Sequence, residues 1–210
     1  MLGETNGVQE GSSGRPDRRR ARREATKAEI LDAAWEMVRE QGLAALSLRD
    51  LAARVGMRAP SLYQYFDSKN AIYDAMFKQG AEAALATRAH LADAPADTPE
   101  LLKRIAHLFF EFATSDPARS QLLFQRTIPG FEPSPESYAP AVEFLQQLHA
   151  IFAERGITDP DAADTWTALL SGLINQQISN DPGGDRWARL IDRSVDMFIA
   201  EFVGTPKKGK

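Results

Sequence analysis

The stretch Leu46–Lys69, LSLRDLAARVGMRAPSLYQYFDSK, decides the fold. Leu48, Leu51, Ala52 and Val55 recur at i, i+3, i+4 and i+7, the spacing of one buried helix face. Ser47 can cap that helix with its hydroxyl, and Asp50 sets a carboxylate near the positive helix end. Gly56 follows the last periodic residue, where a left-handed backbone suits a residue without Cβ, so this helix is expected to stop there. Ala59-Pro60 can open a second helix, because proline's missing N–H has no intrahelical partner in a first turn. Leu62 and Phe66 then face inward, which leaves Arg58, Ala59, Ser61, Tyr63, Gln64 and Tyr65 largely outward. Ala52 is small enough for the two helices to cross closely. The pair reads as a helix-turn-helix, whose second helix enters the major groove of DNA.

With its flanks, Thr26–Met76 resembles the N-terminal domain of TetR/AcrR-type transcriptional regulators. The resemblance rests on the A-x-x-x-G run ending at Gly56, on Leu62-Tyr63-Gln64-Tyr65-Phe66 and on Ser68-Lys69, and it covers about a quarter of the chain. It implies base-reading positions at Arg49, Arg58, Ala59, Pro60, Ser61 and Gln64, and phosphate contacts at Ser47, Tyr63, Tyr65 and Lys69. The reading helix has few long polar side chains, so Arg49, Arg58 and Gln64 are expected to carry most of the hydrogen-bond readout.

Charge is distributed to match. The chain of 210 residues carries a net −4. Residues 15–80 nevertheless hold thirteen Lys/Arg against nine Asp/Glu, a surplus of four positive charges. Residues 81–210 hold twelve against eighteen, so the positive field sits where the motif sits. The absence of cysteine excludes a disulfide framework, a thiolate nucleophile and Cys-ligated metal. No apolar run reaches the roughly 18 residues of a membrane span, and the N-terminus lacks the apolar core of a signal peptide; a cytoplasmic protein is expected. The three histidines show no metal-ligand spacing, and no G-x-S-x-G elbow, phosphate loop or dinucleotide fingerprint occurs, so neither an enzyme nor a metal or cofactor site is expected. Asp159, Asp161 and Asp164 read as charge at a helix start rather than as a cation site.

Residues 1–25 are rich in Gly, Ser and Arg and read as a disordered arm; its six arginines between Arg15 and Arg23 suit contact with phosphate or the minor groove. The reading unit is then 26–72, a helical effector-binding and dimerisation domain occupies 73–203, and 204–210 is a frayed tail. All of 26–203 reads as helix, about nine in number, giving an all-α fold. Thr26-x-x-Glu29 is a capping-box pattern, Gly42 stops the first helix, and Ser68 caps a fourth running to about His90. Further helices are expected over 99–114, from Asp116-Pro117 to a point before Pro129-Gly130, to Arg155-Gly156, from Asp159-Pro160 to about Asn180, and over 185–202.

Trp187, Ile191, Val195, Phe198 and Phe202 form an apolar stripe on the last helix. It is either core of the chain or, as the resemblance implies, part of a bundle shared with a second copy; the homodimer is favoured, since it matches a two-fold DNA operator. The central region is aromatic. The resemblance implies an effector pocket there for a small, mainly apolar molecule, for which His107, Phe109, Phe112, Phe124, Phe144, Trp166 and Leu170 are candidates. Asn175, Gln176 and Gln177 could lie at either the pocket or the interface. The expected function is a ligand-released repressor on double-stranded DNA; an activator or an effector-independent regulator is the alternative.

Overall fold

The computed structural model describes residues 14–91, 93 and 95–203. Within them the chain forms nine α-helices and no strand: α1 (Gly14–Gln41), α2 (Leu48–Arg54), α3 (Ala59–Leu62), α4 (Lys69–Ala86), α5 (Thr98–Ser115), α6 (Pro117–Phe124), α7 (Pro135–Glu154), α8 (Ala162–Asn180) and α9 (Ile191–Phe202). The breaks are chemical. Gly42 takes φ 84°, and the hydroxyl of Ser68 accepts the Ala71 amide at 3.1 Å to start α4. Asp97 and Asp116 do the same for α5 and α6, each followed closely by a proline.

Two hydrophobic clusters organise the bundle. The first joins α1–α4 and reaches α6, with Ile30, Ala34, Val38, Leu51, Leu62, Ile72, Met76, Phe77 and Leu122 buried together. The second joins α5 and α7–α9 through Leu102, Ile105, Leu148, Phe152, Trp166, Ile174, Ile191 and Phe198. Helix α4 belongs to the first cluster at its start and packs along α7, so it links both halves.

The disordered reading of residues 14–25 is corrected: they are the first three turns of α1. After Pro16 no glycine or proline interrupts the chain until Gly42, and Arg, Ala and Glu propagate a helix once the packed turns downstream nucleate it. Low hydropathy argued only against a core, not against extension of an existing helix. Thr26 therefore caps nothing; its hydroxyl donates back to the Arg22 carbonyl at 3.1 Å. The remainder of the arm, residues 1–13, and the tail, 204–210, lie outside the described residues. Helix α6 ends at Phe124, before Pro129-Gly130 as expected, but α9 starts at Ile191 rather than 185 because Gln177 holds the preceding turn. Buried to 3% exposure, the Gln177 carboxamide accepts from the Trp187 and Ala188 amides at 3.0 and 3.3 Å and donates to the Gly184 carbonyl at 3.1 Å. Gln177 is thus a structural residue of the α8–α9 connection.

Candidate functional site

The reading unit is built by local rules. At the end of α2 the amides of Gly56 and Met57 donate to the carbonyls of Ala53 and Ala52 at 3.1 and 2.8 Å, the paired closure of a Schellman motif, with Gly56 at φ 66°. Helix α3 is a single α-turn. Three turn hydrogen bonds carry it on to Phe66, from the amides of Gln64, Tyr65 and Phe66 to the carbonyls of Ser61, Leu62 and Leu62. Leu62 and Phe66 are buried, which leaves Arg58, Pro60, Tyr63 and Gln64 exposed and Ala59, Ser61 and Tyr65 half-buried on one surface. Arg49 stands exposed on α2, with Ser47 capping at 3.4 Å from the Asp50 amide, and half-buried Lys69 follows at the start of α4. All ten expected contact residues therefore reach the surface of one small unit.

Several contacts fix that surface. Arg54 forks onto Glu40 at 2.5 and 3.0 Å; the hydrogen bond, opposed in part by desolvation, raises the Arg54 pKa and lowers that of Glu40, locking α2 to α1. The Tyr73 hydroxyl donates to the Leu43 carbonyl at 2.5 Å, and burial pushes its pKa up to about 12. Arg23 donates to the Gln64 carbonyl at 2.6 Å and lies 5.2 Å from the centre of the Tyr65 ring, so the arginine-rich extension of α1 is tied to the reading turn itself. Arg18, Arg19, Arg20 and Arg22 remain exposed along it.

Polar links then join this unit to the rest of the bundle. Arg39 on α1 donates twice to Asp116, the cap of α6, at 3.0 and 2.7 Å. Asp74 on α4 accepts the Ser134 amide at 2.6 Å and the Ser134 and Ser137 hydroxyls at 2.9 and 2.7 Å, gripping the start of α7. Desolvation acts to raise the Asp74 pKa, but these three hydrogen bonds and the nearby Lys78 outweigh it and hold the carboxyl below its usual value. A carboxyl lowered in the folded state contributes stability that is present above the unfolded pKa of about 4 and lost as pH falls through the folded value. Urea unfolding of wild type and Asp74→Ala at pH 7 and at pH 3 is therefore expected to show a smaller gap between them at pH 3. An unchanged gap would remove Asp74 as an acid-sensitive clasp.

Beside α4 lies a cavity of about 200 Å³ bounded by both hydrophobic clusters. Phe77, Ala81 and Leu123 wall it from the first cluster; Ile105, Leu148, Trp166 and Leu170 wall it from the second. Phe109 meets Phe124 and Phe144 at ring separations of 5.5 and 5.6 Å. At its rim Phe124, Tyr138 and Leu145 stay 46%, 45% and 39% exposed, apolar surface left open beside the cavity. Five of the seven pocket candidates line this space: Phe109, Phe124, Phe144, Trp166 and Leu170.

His107 and Phe112 do not. His107 lies outside on the α5–α9 seam, its Nε2 2.7 Å from Asp192, and Phe112 is covered by the Arg119 guanidinium at 4.0 Å. His107 sits on the opposite face of α5 from Ile105 and Phe109, whereas Phe112 shares their face a turn further along, where Arg119 of α6 covers it. Sequence reasoning missed Arg88, Phe77 and Tyr138, because a cation near a helix end and aromatics on neighbouring helices have ordinary structural roles.

The interface candidates move too. Ile191, Val195 and Phe198 are at most 2% exposed inside the single chain, where Phe198 packs on Phe152 and Trp166, and Phe202 packs on Phe198. Trp187 is half-buried in the α8–α9 turn. Of the Asn-Gln-Gln run, Asn175 accepts from Gln125 at 2.9 Å and Gln176 from Asn180 at 2.6 Å, both at the surface.

The class defined by this geometry is an all-helical helix-turn-helix protein with a hollow C-terminal half. Comparison with known proteins narrows it. Residues 30–76 match the profile described as bacterial regulatory proteins, tetR family. The HTH-type transcriptional regulator Rv1816 of Mycobacterium tuberculosis is 30% identical over 128 residues, 60% of this chain and 54% of that one. The HTH-type transcriptional activator FasR of Mycolicibacterium smegmatis is 26% identical over 103 residues, 49% of this chain and 47% of that one. The chain thus spans about half the length of the curated relatives it matches. Among solved structures, the TetR family transcriptional regulator PfmR of Thermus thermophilus superimposes with a TM-score of 0.60 at 25% identity over 81% of this chain and 97% of that chain. FadR of Bacillus subtilis, solved in complex with stearoyl-CoA, gives 0.63 at 19% over 82% and 97%. The reading unit of this chain, within residues 30–76, is thus similar to that of the tetR family of bacterial regulatory proteins, and the whole chain shares the fold of solved members.

Proposed function

We propose that the protein binds a pseudo-palindromic operator in double-stranded DNA as a homodimer and represses transcription until a small, mainly apolar effector enters the cavity. The carrying observation is the path of α4. Its first residue, Lys69, belongs to the reading surface, while Phe77 and Ala81, two and three turns later, form the cavity wall. An occupant that favours a wider cavity displaces α4, and with it the spacing of two reading helices that must match half-sites about 34–36 Å apart. Arg39–Asp116 and Asp74–Ser134 transmit the same motion through polar contacts.

Selection of bound sequences from a random DNA pool tests the reading. An inverted repeat bound by two protomers is expected, and a reporter carrying it should be silenced by the protein. Enrichment of a single half-site at monomer stoichiometry would overturn the dimeric operator. Increased reporter output would give the sign that FasR's name carries instead.

The dimer contact proposed is the outer face of α8 and α9. Gly172 lies in the interior of α8, exposed, with nothing within 4 Å of where a Cβ would stand, and Met197 on α9 is 61% exposed. Glycine inside a helix costs about 1 kcal/mol against alanine, and no contact within the chain offsets it; close approach of a second helix does. Met197→Glu is expected to give a folded monomer in sedimentation, because a charge left unpaired in a closed interface is strongly unfavourable. A folded dimer unchanged by this substitution would place the contact elsewhere.

A further inference from the structure

Arg88 is the one cation among the described residues that line the cavity, and its charge is unmatched. It stands in the 3-10 turn after α4, with its guanidinium carbon 4.6 Å from the centre of the Phe144 ring. One of its nitrogens, Nη2, donates a long hydrogen bond of 3.4 Å to the Phe144 carbonyl. Nε and Nη1 are closed off from the surface and have no protein acceptor. No carboxylate pairs with Arg88 among the described residues; burial alone acts on its pKa, lowering it, yet guanidinium remains charged at neutral pH. An aromatic face offsets part of the lost hydration but supplies no lone pair to the two idle donors. Buried donors of a charged group are normally satisfied, so their acceptor is expected to arrive with a ligand.

We infer that the cavity takes an amphipathic anion, an apolar body bearing a single carboxylate, with the carboxylate on the idle donors of Arg88 and the body among Phe77, Phe109, Leu148 and Trp166. A lone guanidinium matches one negative charge. A phosphate monoester, with nearly two charges, finds no second cation in the described wall. This assignment rests on the reading of the cavity as an effector site and specifies the chemistry of its occupant.

Calorimetric titration of the full chain with decanoate and with decanol separates the two. A charge-assisted hydrogen bond made in a water-poor wall corresponds to at least about a tenfold preference for the acid. Arg88→Met keeps the side-chain bulk and is expected to bring the two affinities within about twofold while decanol binding persists. Arg88→Lys, which keeps the charge, should retain part of the preference and serves where the Met variant does not fold. Equal affinity of wild type for acid and alcohol, or an acid preference that survives Arg88→Met, overturns the carboxylate assignment and leaves the apolar cavity standing. If neither probe binds, the cavity is not an effector site for such molecules and both readings fall together.

Discussion

Phe198→Ala is expected to cost about 3–5 kcal/mol of folding stability, the range for removing a buried phenylalanine. For a chain of this size that lowers the melting temperature by roughly 10 °C. The ring is 2% exposed and packs at 5.5, 5.1 and 4.8 Å from Phe152, Trp166 and Phe202, so alanine leaves a hole with rigid walls on three sides. Little of that space can be recovered by relaxation, because each neighbour is also packed in the same cluster. Were Phe198 an interface residue, the variant would instead give a folded monomer whose unfolding no longer depends on protein concentration. Urea unfolding at several protein concentrations distinguishes the two: a midpoint shift at every concentration fits the core, and a shift only at high concentration fits the interface.

That contrast shows where legibility in the sequence ended. Local signals were readable because their physics is local. Gly42, Gly56, Ser68 and Asp116-Pro117 mark helix ends through backbone conformation and capping, which depend on a few adjacent residues. The helix-turn-helix followed from spacing alone, with Leu51, Ala52, Leu62 and Phe66 all buried as their periodicity required. An apolar stripe such as Ile191, Val195 and Phe198, by contrast, states that a face is covered and not by what. Here α5, α7 and α8 of the same chain cover it, and the outer face of α9 is marked only by Met197.

The cavity was half legible for the same reason. Aromatic content located Phe109, Phe124 and Phe144, but which face of α5 turns inward and how far the cavity runs along it are tertiary facts: His107 lies on the opposite face, and Phe112 lies beyond the cavity under Arg119. Arg88 was not visible at all, since only the folded environment distinguishes a cation with idle donors from an ordinary one near a helix end. The arm failed differently. Composition measures the capacity to form a core, whereas residues 14–25 need none: they extend a helix already nucleated, and Arg23 ties them to Gln64 and Tyr65.

Changing Arg49, Arg58, Tyr63 and Lys69 together to alanine is expected to weaken operator binding by at least about a thousandfold, roughly 4 kcal/mol. A dimer loses two copies of each contact, and each good base contact contributes about 1–3 kcal/mol of discrimination. The four residues should also separate by role. Arg49 and Arg58 stand exposed at the two helices of the unit, so Arg49→Ala is expected to relax base preference while leaving binding to unrelated DNA nearly unchanged. Among the described residues the Lys69 ammonium bonds only the Ala44 carbonyl, at 3.3 Å, and lies 5.4 Å from the Tyr73 ring, a tether loose enough for it to turn to phosphate. Lys69→Ala should therefore weaken all sequences alike and flatten the salt dependence, since log K falls by about 0.9 per phosphate neutralised for each unit of log salt. Removing the exposed Arg18, Arg19 and Arg22 from the start of α1 should flatten it further without altering the preferred sequence, because phosphate contacts position the protein and do not read bases. Titrations at several salt concentrations, against operator and scrambled DNA, read all three effects. Retention of operator affinity in the fourfold variant would remove this face from DNA recognition, whatever the fold resembles.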